Sequence, residues 1–423
     1  MARWNTIARF GAVSAVAALA LAACSSTTEE PGASSAPGGS GGGSSEGLII
    51  GTLLPLTGSL AFLGPPEVAG VDLAIKEINE AGGVNGAPVT VIHTDSSDTA
   101  NAQIASQSVS KLIADGASAV IGAASSSVTL NVIDDITAAG IVQVSPANTA
   151  AVLSGYSEFY FRTAPPDTVQ GAALANLIVE DGVKNLGILV FEDDYGTGLR
   201  DVIVGGVKSQ GVNVTYGETE TFDPSASNFT AEVAAVTATN PDAIAVIAFD
   251  QTKQILPELL AAGFPGDKLY FVDGNTSDFS SDLPAGAIEG SKGTIPGANP
   301  TEDFAALLES VADGGTLDSY AYGPESYDAT ILVALAAVRG GANDGKTIAE
   351  NMAAVSGANG GTECSGFAEC AELLKNGEEI VYKSVSGVGP FNSDNDPSSA
   401  YVGVYVYDGN NVPQWQRAVF GEI

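Results

Sequence analysis

From residue 48 onward, short runs of aliphatic and β-branched residues alternate with stretches whose apolar positions recur at helical spacing. That alternation is the sequence sign of strand-helix-strand units and parallel sheets. The first series predicts strands at 48–54, 89–94, 119–121 and 141–144, with helices at 67–81 and 102–115. A second series begins after Arg162, with helices at 169–180, 198–210, 228–239 and 251–261 and strands at 185–191, 212–219, 243–248 and 269–272. Each series is long enough to bury a sheet of its own, so the expected fold class is α/β, with two doubly wound domains rather than one large sheet.

Past Pro296 the pattern turns helical again at 301–313, 326–339 and 348–355, and an alternating strand follows at 401–407. This trailing material has no sheet to cover it and must pack back on the earlier domains, so the chain is expected to cross between them more than once.

The N-terminus reads differently. Arg3 and Arg9 precede or flank an apolar run at 10–20, which leads into Leu21, Ala22, Ala23 and Cys24. A basic start, an apolar centre and small residues before a cut are the parts of a secretory signal, and the run falls short of the roughly 20 apolar residues that span a bilayer. The segment 1–23 is therefore expected to be removed. Its end resembles a bacterial lipobox, which implies that Cys24 becomes the first mature residue and carries acyl chains outside the cytoplasmic membrane. Residues 24–47, almost wholly Ser, Gly, Thr, Pro, Ala and Glu, read as a flexible linker, since such a composition buries too little apolar surface to offset ordering entropy.

Charge removes some partners. The formal net charge is −34, with 16 basic residues against 50 acidic ones, so no stripe exists to neutralise phosphates and nucleic acid is not expected as a partner. An acidic surface is also repelled by anionic lipid, which leaves membrane attachment to the acyl chains. With Cys24 assigned to lipidation, Cys364 and Cys370 remain as an even pair in a compartment where disulfides persist. They read as a structural disulfide, worth about 2 kcal/mol in the chain-entropy model for so short a loop. A metal site would need further ligands, and no histidine lies nearby.

Several short motifs recur in a fixed order: GTLLPLTG at 51–58, IN at 78–79, GGVNG at 82–86, IGAASS at 121–126, SPANT at 145–149, FRT at 161–163, DYG at 194–196, PD at 241–242 and YDA at 327–329. Together they resemble the type I periplasmic binding proteins of ABC importers, in the branch that includes leucine/isoleucine/valine-binding proteins. The resemblance spans nearly the whole chain after the linker. It implies two three-layer lobes joined by a hinge, 48–167 with 298–398 and 168–297 with 399–423, and a ligand held between them. It also implies delivery of that ligand to a membrane permease, no cofactor, and no enzymatic activity.

Carried over position by position, Ser126 and Thr149 match hydroxyl donors to a ligand carboxylate, helped by backbone groups of Ala147. Asp273 matches the acidic residue that holds a ligand ammonium, and Tyr195 matches an aromatic that closes over the ligand. Each has a plainer reading: Ser126 and Thr149 as helix caps or turn residues, Asp273 with Gly274 as a turn, Tyr195 as core. The chain departs from the branch at Leu63, where branched-chain binders carry a large aromatic; Phe249 lies near another pocket position. The amine-and-carboxylate frame stays intact while the side-chain preference is left open between amino acids and short amides, urea or aromatic acids.

Two motifs point elsewhere and lack the context they need. GGANDGKT at 340–347 fits a phosphate-binding loop letter for letter, yet it follows a predicted helix instead of a buried strand. His93, the sole histidine, falls in a predicted strand, and no Gly-x-Ser-x-Gly turn accompanies it. A ligand-sensing receptor ectodomain uses the same fold and remains the alternative to an importer subunit.

Overall fold

The computed structural model describes residues 47–423. The expected signal segment 1–23, Cys24, and all of the linker but Gly47 lie outside the described residues. None of the helices described is long and apolar enough to cross a membrane.

The chain opens with β1 (Ile49–Leu54), α1 (Gly64–Glu80), β2 (Thr90–Asp95), α2 (Ala102–Ala114), β3 (Ala119–Gly122), α3 (Ser126–Ala138), β4 (Val142–Ser145) and β5 (Tyr160–Arg162). The five strands form one parallel sheet in the order β2-β1-β3-β4-β5. Strand alternation sends Ile50 and Leu54 to one face, where α1 packs, and Leu53 to the other, where α2 and α3 pack.

The second series runs α4 (Asp167–Glu180), β6 (Asn185–Val190), α5 (Asp194–Ser209), β7 (Asn213–Tyr216), α6 (Thr230–Ala238), β8 (Ala243–Ile247), α7 (Thr252–Ala261), β9 (Leu269–Phe271) and β10 (Lys292–Pro296). Its strands repeat the first order, β7-β6-β8-β9-β10, again all parallel. Fully apolar β8 (AIAVI) is buried along its whole length, as a central parallel strand covered on both faces must be.

The remaining elements divide between the two sheets. Helices α8 (Glu302–Val311), α9 (Gly323–Gly340) and α10 (Gly345–Ser356), the short strand β11 (Thr362–Cys364), α11 (Gly366–Lys375) and β12 (Ile380–Tyr382) return to the first sheet, with α9 lying along α1 and both α10 and α11 against α9. Strands β13 (Ser399–Tyr407) and β14 (Pro413–Glu422) join the second sheet as an antiparallel extension beside β10. The polypeptide thus passes between the sheets three times, at 163–166, 297–301 and 383–398.

Most sequence-expected elements appear within a few residues of their expected ends. Seven were not expected: α3, β5, β10, β11, α11, β12 and β14. Helix α3 opens SSVTLNVID, in which serine and β-branched residues hide the helical period. Strand β10 (KGTIP) contains Gly and Pro, which argue against a strand locally. Cys364 at the end of β11 and Cys370 in α11 are joined as the expected disulfide. The GGANDGKT run is the joint between α9 and α10: Gly341 closes α9 in the left-handed region, and Asp344 caps α10 by accepting from the Thr347 N–H at 3.0 Å.

Candidate ligand-binding site

The C-terminal ends of both parallel sheets face a common gap, the position where doubly wound folds place their ligands. A small cavity there is lined from the first sheet by Leu60, Leu63, Ser126, Ala147, Asn148 and Thr149, and from the second by Tyr195, Phe249, Asp273 and Gly274. Tyr322, just before α9, completes the wall. All seven residues singled out in the sequence as ligand contacts therefore lie around one space: Leu63, Ser126, Ala147, Thr149, Tyr195, Phe249 and Asp273.

On the first-sheet side, Ser125 and not Ser126 is the N-cap of α3, with its hydroxyl accepting from the Val128 N–H. Ser126 is thereby released from the capping role. Its Oγ instead accepts from the N–H groups of Thr149 (3.3 Å) and Ala150 (3.2 Å), which hold the oxygen in place and leave the hydroxyl proton undirected to any protein acceptor. The Thr149 Oγ1 is buried at the cavity wall, and its one protein partner is the Asp167 carboxylate behind it. The Ala147 N–H is occupied by Ser145 Oγ at 3.4 Å, so what Ala147 has left to offer is its carbonyl.

On the opposite side, Asp273 opens a single 3-10 turn after β9. The turn itself is fastened by Asn275, whose Oδ1 accepts from the Val272 N–H at 2.9 Å, so the Asp273 carboxylate is not spent on it. Oδ1 of Asp273 accepts from the Tyr195 hydroxyl (2.5 Å) and Gln170 Nε2 (2.9 Å), and Oδ2 accepts from the Tyr322 hydroxyl (2.6 Å). All three donors are neutral. Burial therefore raises the Asp273 carboxyl above the usual carboxylate range, although these hydrogen bonds oppose the rise. Gly274 makes room for the Phe249 ring: a Cβ there would stand 2.7 Å from two ring carbons. The freed Phe249 ring stacks on Tyr195, centroids 5.7 Å apart, forming an apolar wall beside the carboxylate.

A second acid stands behind this pair. Asp167, the first residue of α4, is fully buried, and the group that hydrogen-bonds its carboxylate is the Thr149 hydroxyl. Burial pushes its carboxyl up to about 8, and the nearby charge of Asp273 adds to the rise. No basic side chain lines the cavity. The nearest use of a cation is Arg162, which is fully committed to Asp396 and to Ala150 O.

The two sheets also touch across the gap. Ser127 donates to Asp194 Oδ2 and its Oγ accepts from the Asp194 N–H, both at 3.2 Å, and the Asp250 N–H donates to Ser59 O at 3.2 Å. With Tyr322 reaching Asp273, these contacts close the cavity from several directions.

The periplasmic binding protein family model matches residues 48–370. The chain belongs to that family. Among its relatives is the chemotactic signal transduction system substrate-binding protein of Halobacterium salinarum, 26% identical over 372 residues, covering 84% of this chain and 86% of the relative. Another is a Leu/Ile/Val-binding protein homolog of Brucella suis, 28% identical over 311 residues, covering 72% and 82%. The fold matches that of a branched-chain amino acid transporter substrate-binding protein from Streptococcus pneumoniae solved with isoleucine: TM-score 0.72, 22% identity, 89% of this chain and 100% of that one.

Within this family frame, sequence reasoning missed one group that lines the cavity, Tyr322, and two that stand behind it, Gln170 and Asp167. Tyr322 adopts φ 61°, in the left-handed region unusual for a non-glycine residue, and it sits in an aperiodic stretch between α8 and α9. Gln170 and Asp167 lie on the first turns of α4, where Asp167-Thr-Val-Gln170 reads as an ordinary helix start. The one available signal was their shared helical face, three residues apart.

Proposed function

We propose that this protein is the extracytoplasmic solute-binding subunit of an ABC importer and that it captures an amino acid, or a similar small polar ligand, between its two sheets. One observation carries the reading: the Ser126 hydroxyl, whose proton has no protein acceptor, and the Thr149 hydroxyl line the same cavity as the Asp273 carboxylate. A ligand carboxylate takes the hydroxyl protons, while a ligand ammonium reaches Asp273 in place of a neutral donor. Leu63 and Phe249 receive the remaining side chain. A dry carboxylate is costly unless a cation joins it, so Asp273 selects for the ammonium group. The Leu/Ile/Val-binding protein homolog of Brucella suis and the isoleucine-bound Streptococcus pneumoniae protein support an amino acid as the ligand class.

Each sheet with its helices acts in this reading as one lobe, 48–167 with 298–398 and 168–297 with 399–423, and the three crossings are the hinge. Closure follows from a ligand that touches both lobes at once, since only differential affinity moves an open-closed equilibrium. Cys24 carries the lipid anchor and a membrane permease receives the ligand. The role is binding and not catalysis: His93 is held on β2 between Thr52 Oγ1 and Asp72 Oδ1, each at 3.0 Å, and does not line the cavity.

A thermal-shift screen across amino acids, amides and small acids tests the reading, because a ligand that binds only the folded state adds about 2.7 kcal/mol at 100 times its Kd. Stabilisation by one or more amino acids is expected. Stabilisation by none of them, at millimolar concentration, would remove the proposal.

A sensory role is the second reading, favoured by the Halobacterium relative named for chemotactic signal transduction. The cavity would be the same in either case. Loss of the gene abolishes uptake of labelled ligand if the protein serves import, and leaves uptake intact while abolishing the response if it serves sensing.

A further inference from the structure

Beyond Tyr322 the gap between the sheets widens into a second cavity of about 690 Å³. Tyr322 lines both spaces and is the partition between them. The volume falls within the roughly 300–1,000 Å³ typical of small-molecule sites. Its walls come from the start of α1, the segment leading to α9, the crossing at 297–300 and the β13–β14 hairpin, which places it apart from the hydroxyl donors of the first site.

The chemistry of this vestibule is one-sided. Asp278, Asp313, Asp318 and Glu325 line it, and the single base, Lys253, is paired with Asp250 at 3.0 Å. Aromatic rings from Phe62, Tyr405 and Trp415 face the same space. A cluster of surface acids alone would mean only solvation, but Glu325 is different. It is 2% exposed, it lines the vestibule, and no other residue donates a hydrogen bond to its carboxylate. Gly297, in the left-handed region at φ 102°, leaves the space that this carboxylate fills: a Cβ there would lie 2.3 Å from Glu325 Oε1. The chain thus makes room for a buried acid and gives it its own backbone N–H but no cation.

We propose that this vestibule is a second binding site, for a small organic cation with apolar substituents, in which Glu325 is the counter-charge and Phe62, Tyr405 and Trp415 are the walls. A buried carboxylate is strongly disfavoured without a cation beside it, and aromatic faces attract an alkylammonium group through their quadrupoles. Burial, with the neighbouring Asp328, holds the Glu325 carboxyl well above the ordinary range, and a bound cation offsets both effects. The cation's counter-charge is Glu325 and not Asp273, so the site stands whether or not the first cavity takes an amino acid.

The sequence contains two tryptophans, Trp4 and Trp415. In a full-length Trp4→Phe protein, Trp415 is the sole tryptophan and reports on the vestibule directly. Choline is the probe, with 3,3-dimethylbutan-1-ol as its neutral isostere. The expected result is a saturable change in Trp415 fluorescence with choline and affinity at least ~10-fold weaker for the neutral alcohol. Glu325→Gln is expected to weaken choline by at least ~10-fold. No saturable change, equal affinity for the two probes, or unchanged affinity in folded Glu325→Gln would each overturn the proposal. If Glu325→Gln does not fold, Trp415→Leu at an exposed position takes its place: calorimetry then shows a several-fold loss of choline affinity, and no loss overturns the site.

Discussion

Two buried acid clusters lie close together in this molecule and are treated in opposite ways. At the crossing near residue 396, Arg162 Nε and Nη2 grip Asp396 at 2.7 and 2.8 Å, Nη1 donates to Ala150 O at 2.9 Å, and Ser154 adds a hydroxyl bridge to the same carboxylate. Every charge there is answered. A few residues on, Asp167 has the Thr149 hydroxyl and Asp273 has only neutral donors, so neither carboxylate is in an ion pair. The same degree of burial therefore produces a locked joint in one place and a poised receptor in the other, and what separates them is whether the protein supplies the counter-charge itself.

Breaking the locked joint gives the largest effect. Arg162→Ala leaves Asp396 buried and unpaired, and urea unfolding is expected to show about 3–5 kcal/mol of lost stability. A loss below 1 kcal/mol would mean the joint is not what fastens the crossing.

The unanswered side has the reverse signature. Asp167 titrates at about 8 in the folded protein, against an ordinary value of 3.8. Between those values the native state holds a proton that the unfolded chain has released, so this contribution to stability is full below pH 4 and is lost as pH rises toward 8. The slope approaches about 1.4 kcal/mol per pH unit. Asp167→Asn should flatten the decline, by a few kcal/mol over the whole window; an unchanged pH profile of unfolding would contradict the assignment.

Binding tests sharpen the same contrast at smaller magnitudes. Asp273→Asn is expected to weaken an amino acid ligand by ~10²-fold in calorimetry, as loss of a buried charge partner does. Unchanged affinity would show that the ligand ammonium sits elsewhere. Thr149→Val should cost ~10-fold in affinity, the worth of one hydrogen bond to a charged group. Its stability should fall by no more than about 1 kcal/mol, because the one protein partner the hydroxyl loses is the Asp167 carboxyl. A marked fall in stability would reassign Thr149 to a purely structural role.

The contrast also marks what the sequence made legible. Apolar runs such as 185–191 and 243–248 announce buried parallel strands, and their alternation with helices announces two sheets. Motif resemblance added the residues at strand ends, and the structure gathers Ser126, Thr149, Tyr195 and Asp273 around one cavity although 147 positions separate the first from the last. Tyr322 could not be read in this way, since its role depends on a left-handed backbone in a loop without period. Asp167 and Gln170 were hidden by looking like a common helix start. The lack of an ion-pair partner for Asp167 and Glu325 is a property of packing, which no residue pattern records.

The account stands or falls on a ligand held at both ends. Calorimetry on the amino acid that stabilises the protein most, beside its deaminated and its decarboxylated analogues, measures this directly. The account predicts that each truncation weakens binding by at least ~10²-fold, because a buried polar group is then left unpaired, and that Asp273→Asn narrows the gap between the amino acid and its deaminated acid. A deaminated acid that binds the wild-type protein as tightly as the amino acid would contradict it.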